Sequence, residues 1–240
     1  MEGRTIAQRQ LGRLWFDQHL VFDGGFVPDA EAMDVFRCRS RTLGRLDDEI
    51  ISLPDRDLFR RLLLMDGGDP RYSCVLLFHS HPEDYLEGSF TRIIVHTDDE
   101  SVSEDVGGPL ITRVDRIVDL LKTISPKYPV ASLKEAVSNA LIHNFYASLE
   151  PVRIDISSRA LTIENNGGIP ANWPLERIFE EHGSSTDNPQ LGAMFFFIGM
   201  IDGCGNGIGH ILEGYAGHSD MVSIEPGHGR FRITMEPFSY

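Results

Sequence analysis

Apolar residues recur at helical spacing over 110–124, where Leu110, Ile111, Val114, Ile117, Leu120, Leu121 and Ile124 fall along one stripe. Pro126 and Pro129 end this helix, and Ser132 is a suitable N-cap for the next one, which carries residues 135–143. The period then changes. Val152, Ile154 and Ile156 alternate with Arg153 and Asp155, a tight turn sits at 157–159, and Leu161-Thr162-Ile163 returns as the second arm of a hairpin. Residues 174–179, 189–201 and 208–215 read as helices, the second with Asn188 as its cap and Pro189 in its first turn. Phe231, Ile233 and Met235 alternate again and predict a closing strand.

The pattern is weaker towards the N-terminus. Residues 6–18 suggest a short helix, Asp23-Gly24-Gly25 breaks the chain, and Val27-Pro28-Asp29 opens a helix towards Phe36. Residues 38–54 are polar and carry no clear period, while 58–65 reads as a helix stopped by Gly67-Gly68-Asp69-Pro70. Two strand-like runs follow, 74–78 and 91–96, joined through 82–88. The acidic stretch 98–105 and Gly107-Gly108 read as a solvated loop. The expected fold is α+β, with helices packed on one face of a mostly antiparallel sheet and a smaller N-terminal α/β segment. A division into residues 1–105 and 106–240 is expected at the acidic loop.

Composition narrows the function classes. An apolar share of 41% and a charged share of 24% are ordinary for a soluble globular protein. The net charge of −14 argues against a broad, sequence-independent grip on nucleic acid, so direct nucleic-acid binding is not expected. Cys38, Cys74 and Cys204 are far apart and odd in number, which reads as reduced thiols in a cytoplasmic setting, without a structural zinc site. The longest apolar run, 194–201, is much shorter than the roughly 20 residues of a membrane span, and no secretory signal opens the chain.

On a helix, residues four and eight apart fall within one narrow arc, so Glu135, Asn139 and His143 share a face. Ala136, Val137, Ala140 and Leu141 are then expected on the opposite side, against the sheet. A face of carboxylate, carboxamide and imidazole suits a metal–phosphate site. An Asn oxygen is a hard, neutral Mg2+ ligand, and a carboxylate one turn away can orient or deprotonate an attacking water. A solvated helix face has the same pattern. Two glycine clusters distinguish the cases. Gly167-Gly168 leaves a strand into a turn where backbone can approach a ligand, and the run 203–209 leads into a helix whose first N–H groups form an anion site.

These residues carry a resemblance. Glu135-x-x-x-Asn139-Ala140 resembles the N box of the GHKL ATPases, the group of gyrase B, the MutL mismatch-repair proteins and histidine kinases. Asn165-Asn166-Gly167-Gly168-Ile169 is similar to their first glycine box, and Gly205-x-Gly207-Ile208-Gly209 to their second. A closer resemblance is to RecG-related ATP-binding proteins, a branch also described as transcriptional-regulator-like. It is carried by LLFHSHPE at 76–83, KEAVSNALIHNFY at 134–146, ENNGGIP at 164–170, DNPQLG at 187–192 and GNGI at 205–208, and spans about residues 58–235.

The resemblance implies a GHKL or Bergerat-like sandwich binding ATP and Mg2+. In it, Glu135 would be the general base or water-orienting residue, Asn139 the Mg2+ ligand, and His143 a neighbour in the nucleotide site. Asn165 would stand where the family's Asp reads the adenine amino group, and Gly167 and Gly168 would let adenine approach the backbone. Gly205, Gly207, Ile208 and Gly209 would wrap the phosphates, with 180–203 as a lid. It also implies a homodimer closed by ATP, and a partner protein supplying the AlbA-like Schlafen-type and winged-helix domains of longer family members.

Two departures divide the functional readings. Asn144-Phe145 stands where the family has Arg-Asp, and Asp187 where its RNP motif has Arg, so cations are missing from the expected phosphate vicinity. A slow Mg2+-dependent ATPase working as a nucleotide-controlled switch is one reading, and a non-hydrolysing regulatory or protein-interaction module is the other. A third pattern, His79-Ser80-His81 followed by Ser89, resembles the metal motif of JAMM isopeptidases. Arg92 occupies the place of its Asp ligand, which leaves a zinc site incomplete. His210, His218 and His228 show no ligand spacing and read as surface or core histidines, and Phe195-Phe196-Phe197 as core under the lid.

Overall fold

The computed structural model describes residues 15–21, 25–169, 174, 178, 186–203 and 205–238. The helix expected over 6–18 falls largely outside them, as do Pro170, Cys204, most of the helix expected at 174–179 and lid residues 180–185. Asp29 caps α1 (Ala30–Leu43) by accepting from Ala32 N at 2.9 Å, and Gly44, left-handed at φ 61°, ends it. The short helices α2 (Asp48–Ile51) and α3 (Asp55–Arg61) follow, then the strand pair β1 (Met65–Asp66) and β2 (Asp69–Pro70), then α4 (Tyr72–Phe78). The hairpin β3 (Thr91–His96) and β4 (Ser101–Val106) leads into α5 (Leu110–Ile124) and α6 (Val130–His143). After them come β5 (Val152–Ile156), β6 (Leu161–Asn166), α7 (Pro189–Phe197), α8 (Gly207–Gly214), β7 (Val222–Glu225) and β8 (Arg230–Met235).

Six strands form one sheet in the order β4-β3-β5-β6-β8-β7, in which only β3 and β5 run parallel. The fold is α+β with helices on a mostly antiparallel sheet, as the periodicity predicts. The sheet crosses the division expected at residue 105, which lies inside β4, because Thr91 to Val95 pair with Val152 to Ile156. A single core likewise joins Phe36 and Phe78 to Leu133, Ile154 and Phe195.

The opposite sheet face is charged. One register row runs Asp105, Arg92, Arg153, Glu164, Arg232, Glu225 across all six strands. Arg92 meets Asp105 at 2.8 Å and Arg232 meets Glu164 at 2.6 Å, so this face stays solvated without an apolar cover.

Four local expectations change. The run 74–78 belongs to α4, not a strand; all of Ser73 to Phe78 is buried, and a short apolar run buried all round has no period to read. The acidic loop contains β4, an edge strand whose residues 101–105 are all exposed. Pro129, not Ser132, is the cap of α6, and buried Ser132 Oγ instead donates to Ile211 O at 2.8 Å. Residues 38–54 hold the end of α1 and all of α2.

The His-x-x-Pro-Glu part of 76–83 proves to be a packing device. Glu83 Oε1 accepts from Gly108 N at 2.8 Å and from Arg113 Nη2 at 3.1 Å, which ties it to the start of α5. Arg113 is fully buried and also donates to the carbonyls of Ser89 and Gly108. Burial pushes its guanidinium down to about 10, so it stays charged at neutral pH. At the other end of the core, Asp17 Oδ2 accepts from Gln190 N at 2.8 Å and Leu191 N at 3.1 Å, capping α7 from outside that helix. Among the described residues, no helix is long and apolar enough to cross a membrane.

Candidate functional site

α6 packs against both β6 and α8, and residues of all three elements line one cleft. The cleft encloses about 1040 Å³ of non-atom space, open solvent at its mouth included. Eight of the ten residues singled out from the sequence line it: Glu135, Asn139, His143, Asn165, Gly168, Gly205, Gly207 and Ile208. Gly167 and Gly209 do not line it. Ala136 and Ala140 line it too, against the expectation that they face the opposite side. Ala136 follows Glu135 by only about 100° around the helix, so both alanines flank the polar arc.

At one end of the cleft, Asn139 Nδ2 donates to Glu135 Oε1 at 3.1 Å. Burial is the main effect on Glu135 and pushes its carboxyl up to about 7. Nearby His210 and the Asn139 hydrogen bond pull it down, while Asp202 adds a further push upward. Asp202 Oδ2 lies 3.3 Å from His210 Nε2, so a carboxylate–imidazole pair flanks the base. Neither residue carried a ligand signal in the sequence. Asp202 has no motif around it, and His210 stands one position beyond the glycine run.

Gly207 fixes the approach of α8. A Cβ on it would lie 2.4 Å from Asn139 Nδ2 and 2.7 Å from Glu135 Oε1, so this backbone rests on the pair and a side chain here would displace both groups. The N–H groups of Gly207, Ile208 and Gly209 precede the first intrahelical bond, from His210 N to Asn206 O at 3.1 Å. The cap residue Asn206 contributes no side-chain hydrogen bond, so the helix start keeps its donors for an anion. Gly209 stays close to Asn206, whose Oδ1 would be 2.3 Å from a Cβ.

At the other end, Asn165 is buried on the helix-facing side of β6, in line with Leu161 and Ile163. Its Nδ2 donates to His143 O and Asn166 O, both at 3.2 Å. Both amide hydrogens are thereby used, which leaves the oxygen as the group a ligand can meet. Ile163, Ile169, Ile178, Phe231 and Ile233 supply apolar wall around it. Gly167, at φ 116°, passes the end of α6 so closely that a Cβ would meet His143 O at 2.3 Å. A Cβ on Gly168 would meet Gly227 O at 2.0 Å, so the pair's missing side chains are taken up by the chain's own backbone.

The two departure positions have their own places. Asn144 is buried; its Oδ1 accepts from Asn166 N at 3.1 Å, and its backbone oxygen accepts from Asn188 Nδ2 at 2.8 Å. It stitches α6 to β6 and does not line the cleft. Asn188 Nδ2 also reaches Ile142 O at 2.8 Å and Thr186 Oγ1 reaches it at 3.0 Å, so the turn carrying Asp187 caps the last carbonyls of α6. Among the described residues no Lys or Arg lines the cleft.

The donor set fits a hard cation that keeps its water. Asn139 turns its amide nitrogen to Glu135 and hence its oxygen away from it, while no group of three His, Cys, Asp or Glu among the described residues could hold a metal. His79 sits apart from the cleft, its ring against Phe26 and Tyr85, with Nδ1 accepting from His81 N at 3.0 Å.

Comparison with known proteins places the fold. Residues 150–235 match the family described as "Putative ATP-dependent DNA helicase recG C-terminal". This stretch of the chain is thus similar to a RecG-related, ATPase-like module. It includes both glycine turns and α8 but begins after α6, so Glu135, Asn139 and His143 lie outside it. No curated protein matches. The crystal structure of the DIP2311 protein from Corynebacterium diphtheriae is similar with a TM-score of 0.70 and 17% sequence identity, over 97% of this chain and 48% of that one. The chain spans about half the length of that protein, and the likeness is one of fold.

Proposed function

We propose that this chain is a GHKL-like, ATP-binding module whose cleft holds Mg2+ with the nucleotide. The observation that carries the reading is Gly207, whose backbone rests on the Glu135–Asn139 pair and brings the open start of α8 beside it. A hydrogen-bond donor on the base meets the Asn165 oxygen, and the apolar residues around it exclude water. The phosphates lie at the first N–H groups of α8. Asn139 would hold Mg2+ through its oxygen, and the ion would neutralise phosphate charge. Glu135 orients the attacking water and, with its carboxyl pushed up to about 7, accepts a proton near neutral pH. The nucleotide acts as a switch, with hydrolysis slow.

A second reading, binding without turnover, draws on the absence of Lys and Arg from the described cleft wall and on Asp202 beside Glu135, both of which weaken the hold on a developing phosphate charge. Melting temperature with ATP, with and without Mg2+, tests binding. A ligand at 100 times its Kd adds about 2.7 kcal/mol. No shift with any nucleotide would overturn both readings; a shift without phosphate release selects the second.

A further inference from the structure

Residues 196–203 join the end of α7 to the glycine run before α8, and Ile201, Asp202 and Gly203 of this loop form part of the cleft wall. The N-terminal half grips the loop from outside. Arg45, just beyond α1, donates from Nη1 to Phe196 O at 2.7 Å and to Ile201 O at 3.0 Å. Its guanidinium also lies 4.5 Å from the centroid of the Phe196 ring. One side chain therefore closes both ends of the loop. Leu43 covers its middle, since a Cβ on Gly199 would lie 2.6 Å from Leu43 Cδ1. Arg39 Nη1 adds a contact to Met200 Sδ at 3.5 Å. Gly199 and Gly203 are left-handed, at φ 67° and 80°, so the path depends on two positions that other residues adopt only with strain. On the cleft side the same loop meets α8 through Asp202 and His210.

We propose that Arg45 is a positioning residue for the nucleotide cleft, through which α1 sets the wall formed by Ile201 to Gly203 and hence the affinity for nucleotide. The inference rests on the nucleotide reading above. Arg45 does not line the cleft itself; it acts through the loop. A guanidinium is suited to the task because its planar fork donates to carbonyls while its face stacks on an aromatic ring, which a lysine ammonium cannot reproduce. Removing it leaves the Ile201 carbonyl to water, leaves the Phe196 carbonyl to the Gly199 N–H at 3.1 Å, and detaches the loop from α1.

The test compares wild type, Arg45→Ala and Arg45→Lys in two measurements. Amide hydrogen exchange at 199–203 without nucleotide is expected to rise about tenfold in Arg45→Ala, with α6 and β6 unchanged. The Kd for Mg·ATP is expected to rise about tenfold in Arg45→Ala and about threefold in Arg45→Lys. Unchanged exchange, or a Kd for Arg45→Ala within twofold of wild type, overturns the inference alone. A wild type that binds no nucleotide while exchange still rises in Arg45→Ala overturns the nucleotide reading, and with it this role for the loop. Exchange in α6 and β6 rising equally would mark a general loss of structure, and it too counts against a positioning role.

Discussion

Asn139 donates its carboxamide to the Glu135 carboxylate over 3.1 Å, one turn apart on α6. The bond fixes two side chains with different work. It aims an acid that burial has made reluctant to ionise, and it turns the amide oxygen outward, where a hard cation can use it.

That reluctance has a pH signature. Burial raises the folded-state Glu135 carboxyl from an ordinary value of 4.5 to about 7. Between those values the folded protein keeps a proton that the unfolded chain has lost, so stability falls as pH rises through this window and the cost is complete above about 7. By 1.36 kcal/mol per pH unit the cost is at most about 3 kcal/mol. Glu135→Gln, which never ionises, is expected to be more stable than wild type by about 1–3 kcal/mol at pH 8 and equal to it near pH 4. Urea unfolding at the two pH values measures this. Equal differences at both would remove the buried-acid account.

Gly207 and Gly214 on α8 should respond differently to alanine. At Gly207 the added Cβ meets the ends of two flexible side chains, Asn139 and Glu135, which can move aside. Alanine also favours helix over glycine by up to about 1 kcal/mol, so Gly207→Ala should keep its stability to within about 1 kcal/mol and lose nucleotide binding at least tenfold. At Gly214 the Cβ falls 2.0 Å from buried Ser132 Oγ, where α6 and α8 touch and the hydroxyl is held by Ile211 O. Gly214→Ala should therefore destabilise by about 1–3 kcal/mol. Thermal unfolding of the two variants separates a site glycine from a packing glycine, and a reversed order would refute the assignment.

Asn188→Ala removes donors from Ile142 O and Asn144 O at the buried end of α6. Ile142 O keeps Thr186 Oγ1 and Asn144 O keeps the Tyr146 N–H, so the loss of two hydrogen bonds should cost about 1–3 kcal/mol. A chemical denaturation midpoint unchanged from wild type would show that water replaces the side chain.

Elements with a long, one-sided period were legible in the sequence, namely α5, α6 and the β5–β6 hairpin. Those without one were not. α4 is buried all round and so has no polar face to set its period, while β4 is an exposed edge whose acidic residues look like a loop. In the cleft, Glu135, Asn139 and the glycine turns stood out because their spacing is local. Asp202 reaches the site through the loop 196–203, and Arg45 holds that loop from about 150 residues away in the chain, as the separations of 151 and 156 to its two carbonyls show. No local spacing encodes such a contact. A binary polar–apolar division of the helix puts Ala136 and Ala140 on the wrong side, because it ignores apolar residues flanking the polar arc.

The central claim is that the cleft between α6, β6 and α8 takes Mg·ATP. Calorimetric titration of wild type and Gly207→Ala with ATP, in the presence of Mg2+ at pH 7.5, tests it most directly. Saturable one-to-one binding to wild type, weakened at least tenfold in a folded Gly207→Ala, is the predicted result. Absence of binding to wild type, or equal binding to both, would contradict it.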